Sequence, residues 1–149
     1  MAGEPCGDVV VQAGPLHGTT VAPEEVPAAI DELPVLAVAG ALASGETRIT
    51  GAAELRVKES DRLAGLEQLR ALGVALEVLP DGLVIRGTAG RLRGGRIEAR
   101  GDHRIAMAFA VTGLAADGGV AIDDPDCVGV SFPGFFPLLR ELGATVEDG

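Results

Sequence analysis

The sequence contains no tryptophan and no tyrosine, and only four phenylalanines. A core must therefore be built from Ala, Val, Leu and Ile, which favours slim helices lying on small sheets. Cys6 and Cys127 are the only cysteines. They lie far apart and lack metal-ligand spacing, so each reads as a buried or incidental thiol, as expected in the cytosol. Positive charge is scarce: 12 Lys and Arg stand against 22 Asp and Glu, a formal net charge of -10. That balance argues against a nucleic-acid partner, because a phosphate backbone demands a basic face. Any anion site has to be local. No apolar run reaches the roughly eighteen residues of a membrane span, and the first residues lack the regions of a signal peptide. The expectation is a soluble, cytoplasmic protein with no membrane partner.

What is present fits one domain of ordinary size: 149 residues, 47% of them hydrophobic, enough to bury most of the surface that the unfolded chain exposes. Apolar spacing predicts a helix over 27–43, ending in Ser44-Gly45, and a short strand at Thr47-Arg48-Ile49-Thr50. A second helix is predicted over 60–72, where Leu63, Leu66, Leu69 and Leu72 recur before Gly73. A strand at 74–78, a Pro80-Asp81-Gly82 turn and a strand at 83–86 follow. Helices over 104–116 and 132–142, with strands at 119–122 and 144–147, complete the pattern. The Gly94-Gly95 and Gly118-Gly119 pairs read as turn makers.

The order helix, strand, helix, strand therefore occurs twice. Asp31 and Asp102 each open an Ala-rich helix, Ile49 and Ile122 each sit in the next strand, and Leu69-x-x-Leu72-Gly73 matches Leu139-x-x-Leu142-Gly143. The spacing is about 70 residues, the mark of an internal repeat whose apolar faces need each other.

Two strings carry the chemistry. Leu55-Arg56-Val57-Lys58-Glu59-Ser60-Asp61-Arg62-Leu63 and Gly101-Asp102-His103-Arg104-Ile105-Ala106-Met107-Ala108 each set charges at the start of an apolar helix. Free backbone N–H groups and the helix dipole favour anions there. Arg62 and Arg104 suit bidentate binding of carboxylate or phosphate, Lys58 offers a compact charge, and Asp31 and Glu59 supply carboxylates for proton exchange. Taken alone, the first string reads sooner as a solvated helix start with Ser60 as N-cap and Asp61 and Arg62 as surface charges. His103 alone reads sooner as a structural hydrogen-bonding residue, and Asp31 first of all as a carboxylate complementing a helix dipole.

Both strings, with Gly3-Glu4-Pro5, His17-Gly18-Thr19-Thr20, Ile30-Asp31-Glu32-Leu33-Pro34 and Ser131-Phe132-Pro133, resemble the C-terminal part of the 5-enolpyruvylshikimate-3-phosphate (EPSP) synthase family. The likeness covers nearly the whole chain. It implies an α/β (α+β) enolpyruvyl transferase-like fold, here two copies of a β-α-β-α-β-β repeat, approximately 8–86 and 96–149, with helices packed between small sheets. It also implies that 1–149 is a partial domain, lacking a third repeat and the N-terminal domain. Such a fragment is expected to be inactive alone and to self-associate through uncovered apolar surface.

The resemblance implies a transferase moving the enolpyruvyl group of phosphoenolpyruvate to the 5-hydroxyl of shikimate 3-phosphate, in aromatic amino acid biosynthesis, with no cofactor or metal. Asp31 would bind the shikimate ring hydroxyls and accept the 5-hydroxyl proton, with Lys58 on the same substrate. Glu59 would donate a proton to the methylene carbon of phosphoenolpyruvate. Arg62 and Arg104 would clamp that molecule's carboxylate and phosphate, and His103 would support the pocket. Two positions depart from the family pattern: Val130 stands where many members carry Lys, and Glu54 where many carry Asn. The alternatives are the sister transferase acting on UDP-N-acetylglucosamine, and a folded domain without catalysis.

Overall fold

Pro27 and Pro34 decide how the first helical stretch divides. Proline lacks an N–H and is tolerated in the first helical turn, and each of these lies at N1 or N2 of its own helix, α1 (Val26–Ala29) and α2 (Leu33–Leu42). The single helix expected over 27–43 is thus two, and residues 30–32 form a turn between them. Asp31 sits in that turn, where its carboxylate is free to face other elements. The computed structural model describes residues 6–147. The Gly3-Glu4-Pro5 landmark lies outside the described residues.

A four-stranded sheet has the order β1 (Thr20–Val21), β2 (Glu46–Ile49), β4 (Gly82–Arg86), β3 (Ala75–Leu79). β1 runs parallel to β2, and both remaining pairings are antiparallel. The His17-Gly18-Thr19-Thr20 segment fastens this edge: Gly18 N donates to Ser44 O at 2.8 Å, and Arg48 N to Thr19 O at 2.9 Å. The leucines of the second predicted helix are fully buried, but their regular three-residue step suits a tighter helix than α. Accordingly α3 (Arg62–Leu66) passes into a 3-10 helix over Glu67–Arg70, whose period is three residues per turn.

The second sheet holds β5 (Leu92–Glu98) and β6 (Ala116–Asp123), parallel and joined through α4 (His103–Gly113). Here the glycine pairs correct the sequence reading. Gly94-Gly95 lies inside β5 and Gly118-Gly119 inside β6, and the ladder register slips between Arg93 and Gly95. Gly118 and Gly119 both have positive φ, at 85° and 74°, and a Cβ at Gly94 would lie 2.6 Å from the carbonyl oxygens of Asp117 and Gly119. These glycines build a bulge, not a turn. The helix α5 (Phe135–Glu141) ends the regular structure. Residues 144–147 form no strand, since no neighbouring strand pairs with them.

The two halves repeat an order of elements. Parallel strands flank α1 and α2 in one half and α4 in the other; each set is followed by a 3-10 segment, Ala53–Val57 or Pro125–Val130, and then a short helix. The helix ends match in detail. Val74 N donates to Leu69 O and Gly73 N to Arg70 O, while Ala144 N donates to Leu139 O and Gly143 N to Arg140 O. Gly73 and Gly143 carry φ of 94° and 95°, the left-handed C′ residue of a Schellman ending. Between the halves α2 packs on α4, joining Leu33, Ala37, Val38 and Ala41 with Ile105, Ala108 and Phe109 in one buried core. That contact brings the start of α4 beside the turn that holds Asp31.

Candidate active site

Arg62 is the first residue of α3 and only 1% of its side chain is exposed. A buried guanidinium must be fully partnered, and it is. Nε donates to Asp102 Oδ2 at 2.9 Å, Nη1 to Asp31 Oδ1 at 3.0 Å and Nη2 to Glu59 Oε2 at 2.6 Å. Asp102 is wholly buried, whereas Asp31 and Glu59 are 43% and 49% exposed. Arg62 therefore faces the protein interior on one edge and solvent-accessible carboxylates on the other. The alternative reading of Arg62 as a surface charge is overturned: Asp102, forty residues downstream, draws it inside. Asp61 rather than Ser60 is the N-cap, accepting from Ala64 N at 3.0 Å.

Arg104 approaches the same centre from α4. Its Nη2 donates to Asp31 Oδ2 and its Nη1 to Asp31 O, both at 3.3 Å, and Nη1 lies 3.5 Å from Glu32 Oε1. The Asp31 carboxylate thus bridges two guanidiniums, one oxygen each. The Arg62 hydrogen bond, with the charges of Arg104, Arg62 and Lys58, holds the Asp31 carboxyl below its ordinary value against the opposing effect of burial. Burial also pushes the Asp102 carboxyl up, but the Arg62 hydrogen bond and charge, the Ser60 hydroxyl and the Ile105 N–H together leave it below its ordinary value. Burial presses Arg62 toward the neutral form, and its bonds to Asp102 and Asp31 outweigh it.

The loop presenting Lys58, Glu59 and Ser60 is clamped at both ends. Arg56 donates to Leu79 O and Pro80 O at 2.8 Å and pairs with Asp61 at 2.9 Å. Lys58 turns to Glu54, with which it forms an ion pair, so the acidic residue at the family's Asn position takes up the lysine. Val130, at the end of its 3-10 segment, is exposed. His103 is buried at the first position of α4 and takes part in none of these bonds. The structure therefore brings Asp31, Glu59, Arg62 and Arg104 into one network, sets Lys58 beside it, and leaves His103 at its margin. Asp102 also belongs to the network, beyond the site residues that the sequence points to. The signal available was an Asp immediately before a helix with an arginine two positions on, which describes an ordinary cap equally well.

With five residues, α3 contributes little dipole, so attraction for an anion rests on the guanidiniums of Arg62 and Arg104. A pocket of about 160 Å³ adjoins Arg104 and Asp31, with Val35, Met107, Val111 and Phe135 in its wall. Among the described residues no group of three or more His, Cys, Asp and Glu is placed to hold a metal ion. Nor, among those residues, is any helix long and apolar enough to cross a membrane.

The family model for EPSP synthase (3-phosphoshikimate 1-carboxyvinyltransferase) matches residues 3–139. The chain belongs to the EPSP synthase family. A 3-phosphoshikimate 1-carboxyvinyltransferase of Desulforudis audaxviator is 54% identical over 141 residues, covering 94% of this chain and 33% of that relative. One from Zymomonas mobilis is 50% identical over 155 residues, covering 100% of this chain and 34% of the relative. A solved EPSP synthase from Acinetobacter baumannii superposes with a TM-score of 0.85 at 41% identity, over 89% of this chain and 32% of that one. The fold is thus that of EPSP synthases, and the chain spans about a third of the length of the relatives it matches.

Acid titration reads the carboxylates of this site directly. Asp31 and Asp102 are held below their ordinary values in the fold, so their contribution to stability is complete above the unfolded carboxylate value of about 4 and is lost as pH falls through the folded values. Thermal melts are expected to be nearly flat from neutrality to about pH 5 and to fall steeply below about pH 4. Asp102→Asn should start lower and fall less.

Proposed function

We propose that this chain carries the phosphoenolpyruvate-facing part of an EPSP synthase. What supports this most is Asp31 bridging Arg62 and Arg104 while Glu59 lies on the same guanidinium as Asp31. Two cations and two half-exposed carboxylates are joined in one hydrogen-bonded chain, Glu59 to Arg62 to Asp31 to Arg104. That set matches the task of adding a hydroxyl to phosphoenolpyruvate, a molecule with a carboxylate and a phosphate on one enol carbon.

In this reading Asp31 binds the shikimate ring hydroxyls and takes the 5-hydroxyl proton as its oxygen bonds to the enol carbon. Lys58 contacts the same substrate. Glu59 gives a proton to the methylene carbon, making it a methyl group. In the second step the bond to phosphate breaks and the methyl group returns a proton, which restores the double bond in the enolpyruvyl ether. Arg62 and Arg104 hold the two anionic groups, and His103 supports the pocket wall. An incoming anion reaches Arg62 through positions that Glu59 and Asp31 occupy in the free chain, so affinity is modest, roughly millimolar. A nuclear magnetic resonance titration with phosphoenolpyruvate tests this. Saturable changes should centre on Asp31, Glu59, Arg62 and Arg104, and changes centred elsewhere would sink the assignment.

The same reading divides the chain into two units, approximately 8–86 and 96–149, of which the second lacks the strand pair that β3 and β4 give the first. The matching Schellman endings support it. A third unit and an N-terminal domain, supplied in the cytoplasm as parts of one enzyme, complete the site for shikimate 3-phosphate. Alone, the chain presents Val35 and Leu36 on α2, Leu138 on α5, and Leu114 and Leu142 to solvent. Apolar surface of this kind drives association. Sedimentation at increasing concentration is expected to show species larger than a monomer; a strict monomer with a sharp melt would show that the two units close on themselves.

A further inference from the structure

We infer that Asp102 is a positioning residue of the anion site, which never meets substrate but aims the Arg62 guanidinium and ties the start of α3 to the start of α4. The inference rests on the functional reading above and goes beyond it, because Asp102 is wholly buried and lies behind the groups that face solvent.

Its two oxygens are divided between two helices. Oδ1 accepts from Arg104 N at 2.9 Å and from Ile105 N at 3.3 Å, capping α4. Oδ2 accepts from Ser60 Oγ at 3.0 Å and from Arg62 Nε at 2.9 Å. The guanidinium is planar, so a partner fixed on Nε sets where both Nη groups point; here they point at Asp31 and Glu59. Without that anchor, two half-exposed carboxylates would hold Arg62 by its tip alone. Because the Oδ1 cap fixes the backbone of Arg104, one side chain sets the origin of both guanidiniums. Ser60 shares the Oδ2 contact and fastens the loop next to Glu59, so the proton donor and its arginine take their position from the same carboxylate.

The test uses the 149-residue chain. Asp102→Asn keeps an acceptor oxygen for the α4 cap but turns an amide donor toward Ser60 Oγ and Arg62 Nε. In the unmodified chain the Arg62 Nε–H resonance should be narrow and slow to exchange with water. In Asp102→Asn it should exchange quickly, and affinity for phosphoenolpyruvate should fall by roughly tenfold or more, while backbone resonances of the four-stranded sheet stay in place. A merely structural role would destabilise the chain without releasing that one N–H. Asp102→Asn that binds phosphoenolpyruvate as the unmodified chain does would overturn the inference. Should that variant fail to fold, the unmodified chain and Ser60→Ala decide. An Arg62 Nε–H that exchanges as fast as an exposed arginine's, or that does not respond to loss of the Ser60 hydroxyl, overturns it. Absence of phosphoenolpyruvate binding by the unmodified chain counts against the functional reading, whereas exchange at Nε still reports separately on Asp102.

Discussion

Replacing Arg62 by alanine is expected to lower the free energy of unfolding by about 3 to 5 kcal/mol, among the largest losses available to a single substitution in this chain. The cause is not the lost attraction alone. Asp102 has no exposed surface, and without the guanidinium it is a buried carboxylate left with the Ser60 hydroxyl and two backbone N–H groups. Desolvation of an unpaired charge dominates such losses. The pair Arg62→Ala and Asp102→Asn should therefore cost less together than the sum of the two, since the second change removes the stranded charge. Urea denaturation of the two single variants and the double variant measures this. Strict additivity would mean that Asp102 and Arg62 do not depend on one another.

The other large effect concerns Glu59. When the chain is combined with the part of a relative that lies outside the match, such as the remaining two-thirds of the Desulforudis audaxviator protein, some enolpyruvyl transfer is expected. Glu59→Gln in that combination should abolish protonation of the methylene carbon. A positioned acid contributes on the order of a hundred- to ten-thousandfold. Anion binding should be no weaker than in the unmodified chain, because the neutral amide no longer competes for Arg62 Nη2. Steady-state phosphate release together with exchange of solvent deuterium into phosphoenolpyruvate separates the two effects.

The helical stretches, though not their internal breaks, and the hairpin were legible because their signals are local: leucines at regular steps, Pro80-Asp81-Gly82 at a turn, glycine at two helix ends. β5 was not, since Arg93, Gly94, Gly95 and Arg96 interrupt its apolar pattern, and only the parallel partner β6 with its bulge makes a strand of it. The final strand expected at 144–147 failed for the complementary reason, that an alternating run without a neighbour has nothing to pair with. In the site, the two charged strings supply Glu59, Arg62, Asp102 and Arg104 to one network, and Asp31 joins it from the turn before α2. Burial of Arg62 was illegible. The run Lys58-Glu59-Ser60-Asp61-Arg62 looks solvated until α2 and α4 come together and carry Asp31 and Asp102 to it from opposite sides in sequence.

Catalysis in this account needs both substrates held in near-attack geometry with water excluded, and a misplacement of about an ångström costs on the order of a hundredfold. On the proposed function the chain holds one part of the cleft, and that part alone is not expected to supply this geometry. The most direct measurement incubates the 149-residue chain with shikimate 3-phosphate and phosphoenolpyruvate, alone and with the remaining part of a relative, and follows enolpyruvylshikimate 3-phosphate. No product is expected from the chain alone, product on combination, and none on combination when Glu59 is Gln. Product from the chain by itself, or an equal rate with Glu59→Gln, would contradict the proposed function.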